Sequence, residues 1–162
     1  MLPPYPGPYS VGIAPFEIAP DGENAFGVMG SLFYPADLSQ VKAPVKSKWL
    51  LGPSKLYAVG FGTYAGLPKR FNETVLSWYL DSAKIPSILS PPVVPASTLS
   101  GPIPVVVFCH GLAGNQTSYS QFCGSLASKG MIVLAIEHRD GSTTSARNNY
   151  QDKIEYVRPP WL

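Results

Sequence analysis

Between residues 104 and 137 the spacing of apolar positions changes twice. "PVVVFC" (104–109) is an unbroken run of β-branched and aromatic residues bounded by proline and glycine. Such a run predicts a strand buried on both faces in a parallel sheet. After a loop of small residues, Tyr119, Phe122, Cys123, Leu126 and Ala127 recur at helical spacing and predict one apolar helix stripe. Thr117 or Ser118 is placed to cap the start of that helix, and Gly130 stands where a left-handed C-terminal cap belongs. "MIVLAIE" (131–137) then predicts a second buried strand. Strand, helix and strand in close succession make a right-handed βαβ unit, so the predicted class is α/β.

Upstream, "YSVGIAPFEIA" (9–19) and "VMGSLFYP" (28–35) read as two strands around "PDGENAFG", which is rich in turn formers. They are expected to pair as an antiparallel hairpin at the edge of the sheet. "RFNETVLSWYL" (70–80) predicts a short helix, and "SILSPPVVPASTLSGPIP" (87–104) a loop. The stretch from Trp49 to Pro68 (49–68) is nearly free of charge and broken by glycine and proline. It gives no clear element, but it must be buried or face a lipid or a partner. The 162 residues therefore divide into N-terminal strands (1–36), a variable apolar and proline-rich segment (37–103), the βαβ unit (104–140) and a tail (141–162), all parts of a single domain.

Composition narrows the class. Hydrophobic residues make up 45% and charged residues 14% of the chain, which suits a packed globular protein and not a disordered one. A net charge of +2 without clustering argues against nucleic acid as a partner. Two cysteines make no disulfide framework, and Cys109 and Cys123 both read as buried free thiols. The opening "MLPPYPGPYSVG" has neither a basic region nor a continuous apolar core, and no run is long enough to span a bilayer, so a cytoplasmic protein is the expectation. Asn72 and Asn115 match the glycosylation pattern, a use not expected without a leader.

The chemistry is concentrated in "HGLAG", residues 110–114, between the buried strand and the helix. Ester hydrolysis builds negative charge on a carbonyl oxygen, and fixed backbone N–H groups stabilise it. In α/β-hydrolases one such donor follows the nucleophile and another lies in the loop after the third strand. The Leu112 N–H is the candidate donor, with His110, Gly111 and Ala113 as loop support. His110 precedes any triad acid and so is not the base, since the order in this fold is Ser, acid, His. Glu137, His138, Arg139 and Asp140 alternate in sign and are expected to form an ion-pair network at the top of the sheet. Cys109, His110 and His138 lack a recognised metal-ligand spacing, and no metal site is expected there. Neither a G-x-S-x-G elbow nor a histidine beyond His138 is found, and Ser125 and Ser128 fall on the predicted helix.

"LPPYPGPYSVG", "LFYPA" (32–36), "VVFCHGL" (106–112) and "SLASKGMIVLAIEHRD" (125–140) resemble the platelet-activating factor acetylhydrolases of the plasma and type II intracellular group. The resemblance implies the N-terminal part of an α/β-hydrolase sheet, incomplete without downstream strands. It also implies a serine esterase that removes short or oxidised sn-2 acyl chains from phospholipids, with no metal or cofactor. Its nucleophile, acid and base would lie beyond Leu162, so the chain alone is expected to be inactive, and poorly soluble where the strand at 104–109 has a bare edge. Residues 49–68 hold the place of that group's lipid-facing helix. Two other readings stay open: a non-catalytic protein that binds lipid or a partner, and a hydrolase of other small esters.

Overall fold

The computed structural model describes residues 2–21, 27–99 and 101–143, together with the backbone of 145–148 and 152–155. In chain order these carry β1 (Ser10–Ile18), β2 (Val28–Ala36), β3 (Lys46–Lys48), α1 (Ser54–Tyr64), α2 (Lys69–Phe71), a π-turn (Asn72–Leu76) and α3 (Ser77–Ser82). They continue with β4 (Lys84–Leu89), β5 (Val105–Cys109), α4 (Ser120–Ala127), β6 (Ile132–Glu137), β7 (Ser145–Asn148) and β8 (Asp152–Glu155).

Six strands form one mixed sheet in the order β3-β4-β1-β2-β6-β5. β1 and β2 pair antiparallel along their whole length, from Ser10↔Ala36 to Ile18↔Val28. β5 and β6 run parallel and are joined by α4, as the alternating apolar periods predicted. The hairpin is not at an edge, however: β4 adds to β1 in parallel and β6 adds to β2 antiparallel, so β1 and β2 are central. The misplacement follows from β4 itself. Its sequence "KIPSIL" carries Pro86 and runs into Pro91 and Pro92, and the part from Ser87 onward read as loop. Pro86 is accommodated because β4 makes few ladder contacts: two register pairs with β1, and two with β3 across a register shift.

β5 differs from a strand enclosed on both faces. It pairs only with β6 among the described residues, and Val105 and Val107 are 62% and 65% exposed. This is the bare edge the sequence led us to expect. Cys109, at its end, is exposed and not buried; Cys123 is fully buried. The segment read as a tail contains the antiparallel hairpin β7–β8.

The main core joins Val11, Ile13, Phe33, Ile85, Val133 and Ala135 of the sheet to Cys123 and Ala127 of α4. Thus only part of the predicted stripe faces inward. Tyr119 and Phe122 are 47% and 53% exposed and pack beside Phe108 of β5, with ring centroids 5.1 and 5.6 Å away. Tyr119 sits at the start of α4 without any side-chain cap, so neither Thr117 nor Ser118 serves as one. Gly130, just past the helix, adopts φ +98, a value favourable to glycine alone. The N-terminal segment runs alongside α4: the Gly7 N–H donates to Ser128 Oγ at 3.0 Å and the Tyr9 N–H to Ser128 O at 3.0 Å. The Tyr5 ring packs against Gly124, and its hydroxyl meets Ser87 Oγ of β4 at 2.8 Å.

A smaller core settles the stretch at 49–68. Leu50, Tyr57, Ala58 and Leu80 are buried together, and Trp49 stacks on Phe61 at 6.0 Å. Trp49 also donates its indole N–H to Thr117 O at 2.8 Å, which ties this cluster to the loop ahead of α4.

Candidate functional site

β5 ends at Cys109 opposite Ile136, which brings His110 beside Glu137 at the end of β6. Both side chains are 1% exposed. The Glu137 carboxylate gathers three groups. Oε1 lies 3.2 Å from His110 Nε2 and accepts the Thr143 hydroxyl at 2.6 Å, while Oε2 accepts the Gln116 N–H at 3.0 Å. A buried carboxylate is tolerated only when so fully bonded, because water no longer solvates it. Sequence reading placed Glu137 in an ion-pair network with His138, Arg139 and Asp140 at the top of the sheet; in the structure Glu137 pairs with His110. Arg139 pairs with Glu17 of β1 and lies 3.4 Å from Met29 Sδ, and Asp140 accepts from the Ser142 N–H at 2.9 Å. The Ser142 hydroxyl, which also donates to Asp140, and that N–H hold the Asp140 carboxyl below its ordinary range.

Each ring nitrogen of His110 faces an oxygen. Nδ1 is 2.9 Å from Gly111 O, and Nε2 faces Glu137. Two acceptors on one ring suit the imidazolium, which carries two N–H donors. Burial alone would lower the His110 pKa, but the bond to Glu137, the Gly111 carbonyl and the charges of Glu137 and Asp140 raise it above 6.5. His138 lies alongside, ring centroids 4.2 Å apart, and its backbone N–H approaches His110 Nε2 at 3.3 Å.

The loop that follows is held from several directions. The Gly114 N–H donates to Gly111 O at 2.9 Å, and the Ala113 N–H donates to Ser142 O at 2.7 Å. Ala113 is 5% exposed with φ +57, a left-handed conformation costly for a residue with a Cβ. Gly114 O lies 2.7 Å from the Thr143 hydroxyl. Asn115 Oδ1 accepts the Thr117 N–H and hydroxyl, each at 2.9 Å, and Ser31 Oγ of β2 donates to Gln116 Oε1 at 2.7 Å. Asn72 and Asn115 are each 1% exposed, so neither presents a glycosylation acceptor. Within this braced loop Gly111 and Leu112 are the exposed residues. Leu112 is 45% exposed, and neither N–H has a hydrogen-bond partner among the described residues.

The four residues singled out from the sequence are therefore adjacent, but they differ in kind: His110 and Ala113 are buried braces, and Gly111 and Leu112 are the open positions. Sequence reasoning missed Glu137, Thr143, Gln116 and Ser31 as members of the site. An acid closing the apolar run "MIVLAIE" was a usable signal, because a charge next to a buried strand needs a partner. Ser125 and Ser128 bond back to the carbonyls of Gln121 and Ser125, at 2.6 and 2.8 Å, as helical serines do. Among the described residues no group of three metal-ligating side chains occurs.

The sequence profile of the family described as platelet-activating factor acetylhydrolase, isoform II, matches residues 1–159. The chain belongs to that family. The platelet-activating factor acetylhydrolase of Canis lupus familiaris is 35% identical over 139 residues, covering 86% of this chain and 28% of the dog protein. That of Bos taurus is 31% identical over 158 residues, covering 96% of this chain and 32% of its own length. The chain thus spans about a third of the length of these curated relatives. Among solved structures, the ferulic acid esterase from Streptomyces cinnamoneus aligns with a TM-score of 0.65 at 15% identity, over 95% of this chain and 40% of that one. This likeness concerns the fold, which is α/β-hydrolase-like. The acetylhydrolase family and this fold agree with what the sequence motifs implied. Among the described residues no helix is long and apolar enough to cross a membrane.

Proposed function

We propose that this chain supplies the oxyanion half of a serine esterase acting on short or oxidised sn-2 acyl esters of phospholipids, with the Leu112 N–H as one of the donors. The observation that carries the reading is at Leu112: a half-exposed residue whose N–H has no partner among the described residues, while the N–H groups of Ala113 and Gly114 that follow it are bonded. Such a donor is in place before charge develops on the ester oxygen and costs no reorganisation when it does. Losing one such donor typically costs about 2.7–4 kcal/mol of barrier. His110 and Ser125 are not the base and nucleophile, because both are spent on internal bonds. The attacking serine, its acid and its base are absent from these 162 residues, so the chain by itself does not turn over.

The lipid contact runs further along the chain than residues 49–68. Within that stretch Leu50, Tyr57 and Ala58 are buried, and Tyr64 and Leu67 are the large exposed apolar residues. Phe71, Val75, Trp78 and Tyr79 continue the series at three- and four-residue steps, with Trp78 75% exposed. Aromatic residues grouped in this way suit a phospholipid surface.

The deciding test is the coding sequence past the codon for Leu162, followed by assay of the encoded protein on acetyl and long-chain phospholipids. A Gly-x-Ser-x-Gly with later Asp and His, and preference for the acetyl ester, supports the reading. Serine-independent turnover by residues 1–162 alone, or no ester hydrolysis by the encoded protein, overturns it.

A further inference from the structure

We propose that His110 and Glu137 together are positioning residues that aim the Leu112 N–H, by gripping the carbonyl on the other side of the same peptide bond. The inference rests on the reading of Leu112 as an oxyanion donor. Its physical basis is the planarity of the peptide unit. In a trans peptide the C=O of residue 111 and the N–H of residue 112 point in opposite directions. The described chain has no cis peptide. Whatever fixes Gly111 O therefore fixes the direction of the Leu112 N–H.

Such a grip is needed because glycine rotates its following peptide at little cost. A Cβ placed on Gly111 would meet only the Tyr119 hydroxyl, at 3.9 Å, so packing does not restrain that residue. Two donors do. His110 Nδ1 lies 2.9 Å from Gly111 O on one side, and the Gly114 N–H reaches it at 2.9 Å from the loop. The ring that provides the first is itself held at Nε2 by Glu137, which also holds the Gln116 N–H at 3.0 Å. One carboxylate at the end of β6 thus anchors the start of the loop through His110 and its far part through Gln116.

Holding Gly111 O and Glu137 at once requires two protons on His110. A neutral ring has one N–H and cannot donate to both Gly111 O and Glu137. The charged or titratable groups around the ring are Glu137 at the end of β6, His138 next to it, and Asp140 beyond. The two carboxylates hold the proton on the ring. Loss of that proton opens one tie: at Nδ1 it releases Gly111 O, and at Nε2 it replaces the bond to Glu137 with the one accepted from the His138 N–H, so that the carboxylate no longer holds the ring.

The test is solution NMR on the protein labelled with 15N-leucine, 15N-valine and 13C-histidine, weakly aligned so that residual dipolar couplings report N–H directions. The chain has two histidines, so His138→Gln assigns both ring signals. The Leu112 coupling should change along the His110 titration and with the same midpoint, while those of Val106 and Val133 in the strands stay fixed. In Glu137→Gln the His110 midpoint should fall and the Leu112 change should move down with it. A Leu112 coupling that stays constant through the His110 titration overturns the proposal, as does one that moves together with the strand couplings. Should Glu137→Gln not fold, the wild-type pH series decides alone. Ester hydrolysis is assayed separately, on the protein encoded through and beyond the codon for Leu162: if it is absent while Leu112 still follows His110, the esterase reading has failed and the grip has not.

Discussion

The replacement Gly124→Ala sets two effects of known sign against each other. On an isolated helix, alanine in place of glycine stabilises by about 0.8–1.0 kcal/mol. Here, however, a Cβ at 124 would enter the space taken by the Tyr5 ring, so the ring must leave. Its departure gives up much of the burial of an aromatic side chain, about 1.5–3 kcal/mol when complete. It also gives up the bond to Ser87 Oγ, a further contribution of about 0.5–1.5 kcal/mol. Burial of this phenol is marked enough to push its pKa up to about 12, with the Ser87 bond acting in the opposite direction. The loss exceeds the gain, and Gly124→Ala should destabilise by roughly 1–3 kcal/mol. The double-mutant cycle sharpens this expectation. With Tyr5→Ala already in place there is no ring to displace, and Gly124→Ala should then stabilise by about the helix-propensity amount. Urea unfolding followed by far-UV circular dichroism measures both legs. A stabilising Gly124→Ala in the otherwise unchanged protein would refute the account, as would the same sign in both backgrounds.

Four further outcomes are expected. Val107→Lys, at an exposed position of the edge strand β5, should slow aggregation in light scattering while leaving the unfolding free energy from urea titration within about 0.5 kcal/mol, since charge on an edge blocks strand addition; unchanged scattering counts against the edge as the cause. Ser31→Ala removes the donor to the buried Gln116 Oε1 and should cost about 1–3 kcal/mol by the same unfolding assay. His110 has a raised native pKa, so its contribution to stability is complete below 6.5 and is lost as pH climbs through the native value. The urea midpoint should therefore decline across that interval in the wild type and stay flatter in Glu137→Gln. Trp78→Ser with Tyr79→Ser should weaken co-sedimentation with phosphatidylcholine vesicles without altering the circular dichroism spectrum; binding equal to wild type would exclude that face from lipid contact.

How much of this was legible in the sequence depended on whether a residue's role was set by its neighbours along the chain. The β5–α4–β6 unit could be read because each element announces itself by its own periodicity, and Gly130 by the conformation only glycine tolerates. The burial of β5 and the centrality of β1 and β2 could not be, because both depend on which strands lie alongside. β4 was hidden by Pro86, a residue that argues against a strand unless the ladder there is sparse. At the site, "HGL" marked the right loop by local pattern. Its supports come from Glu137, Thr143 and Ser31, brought in from three places in the chain, and only the folded backbone makes them neighbours. The capping role expected of Thr117 or Ser118 failed for a related reason. Asn115 Oδ1 takes up the Thr117 hydroxyl, and Ser118 Oγ accepts the Asn115 N–H at 3.0 Å, so both side chains serve the loop instead of the helix.

The central position of the β1–β2 hairpin also bears on how the chain comes to be folded. Those two strands are close in sequence, so their ladder closes a short loop and can form as soon as both have been synthesised. The next additions come much later and to opposite sides: β4 joins β1, and β6 reaches β2 only after α4 has been made. Until then the outer edge of β2, with Phe33 and Leu32 along it, waits without its partner. Contacts so distant in sequence slow folding and lengthen the exposure of strand edges. β5 precedes β6 in the chain but attaches to the sheet through it, so the strand that delivers His110 and Leu112 is tied to the hairpin only by way of β6. The geometry of the candidate site therefore depends on two registers in series, β2 with β6 and β6 with β5.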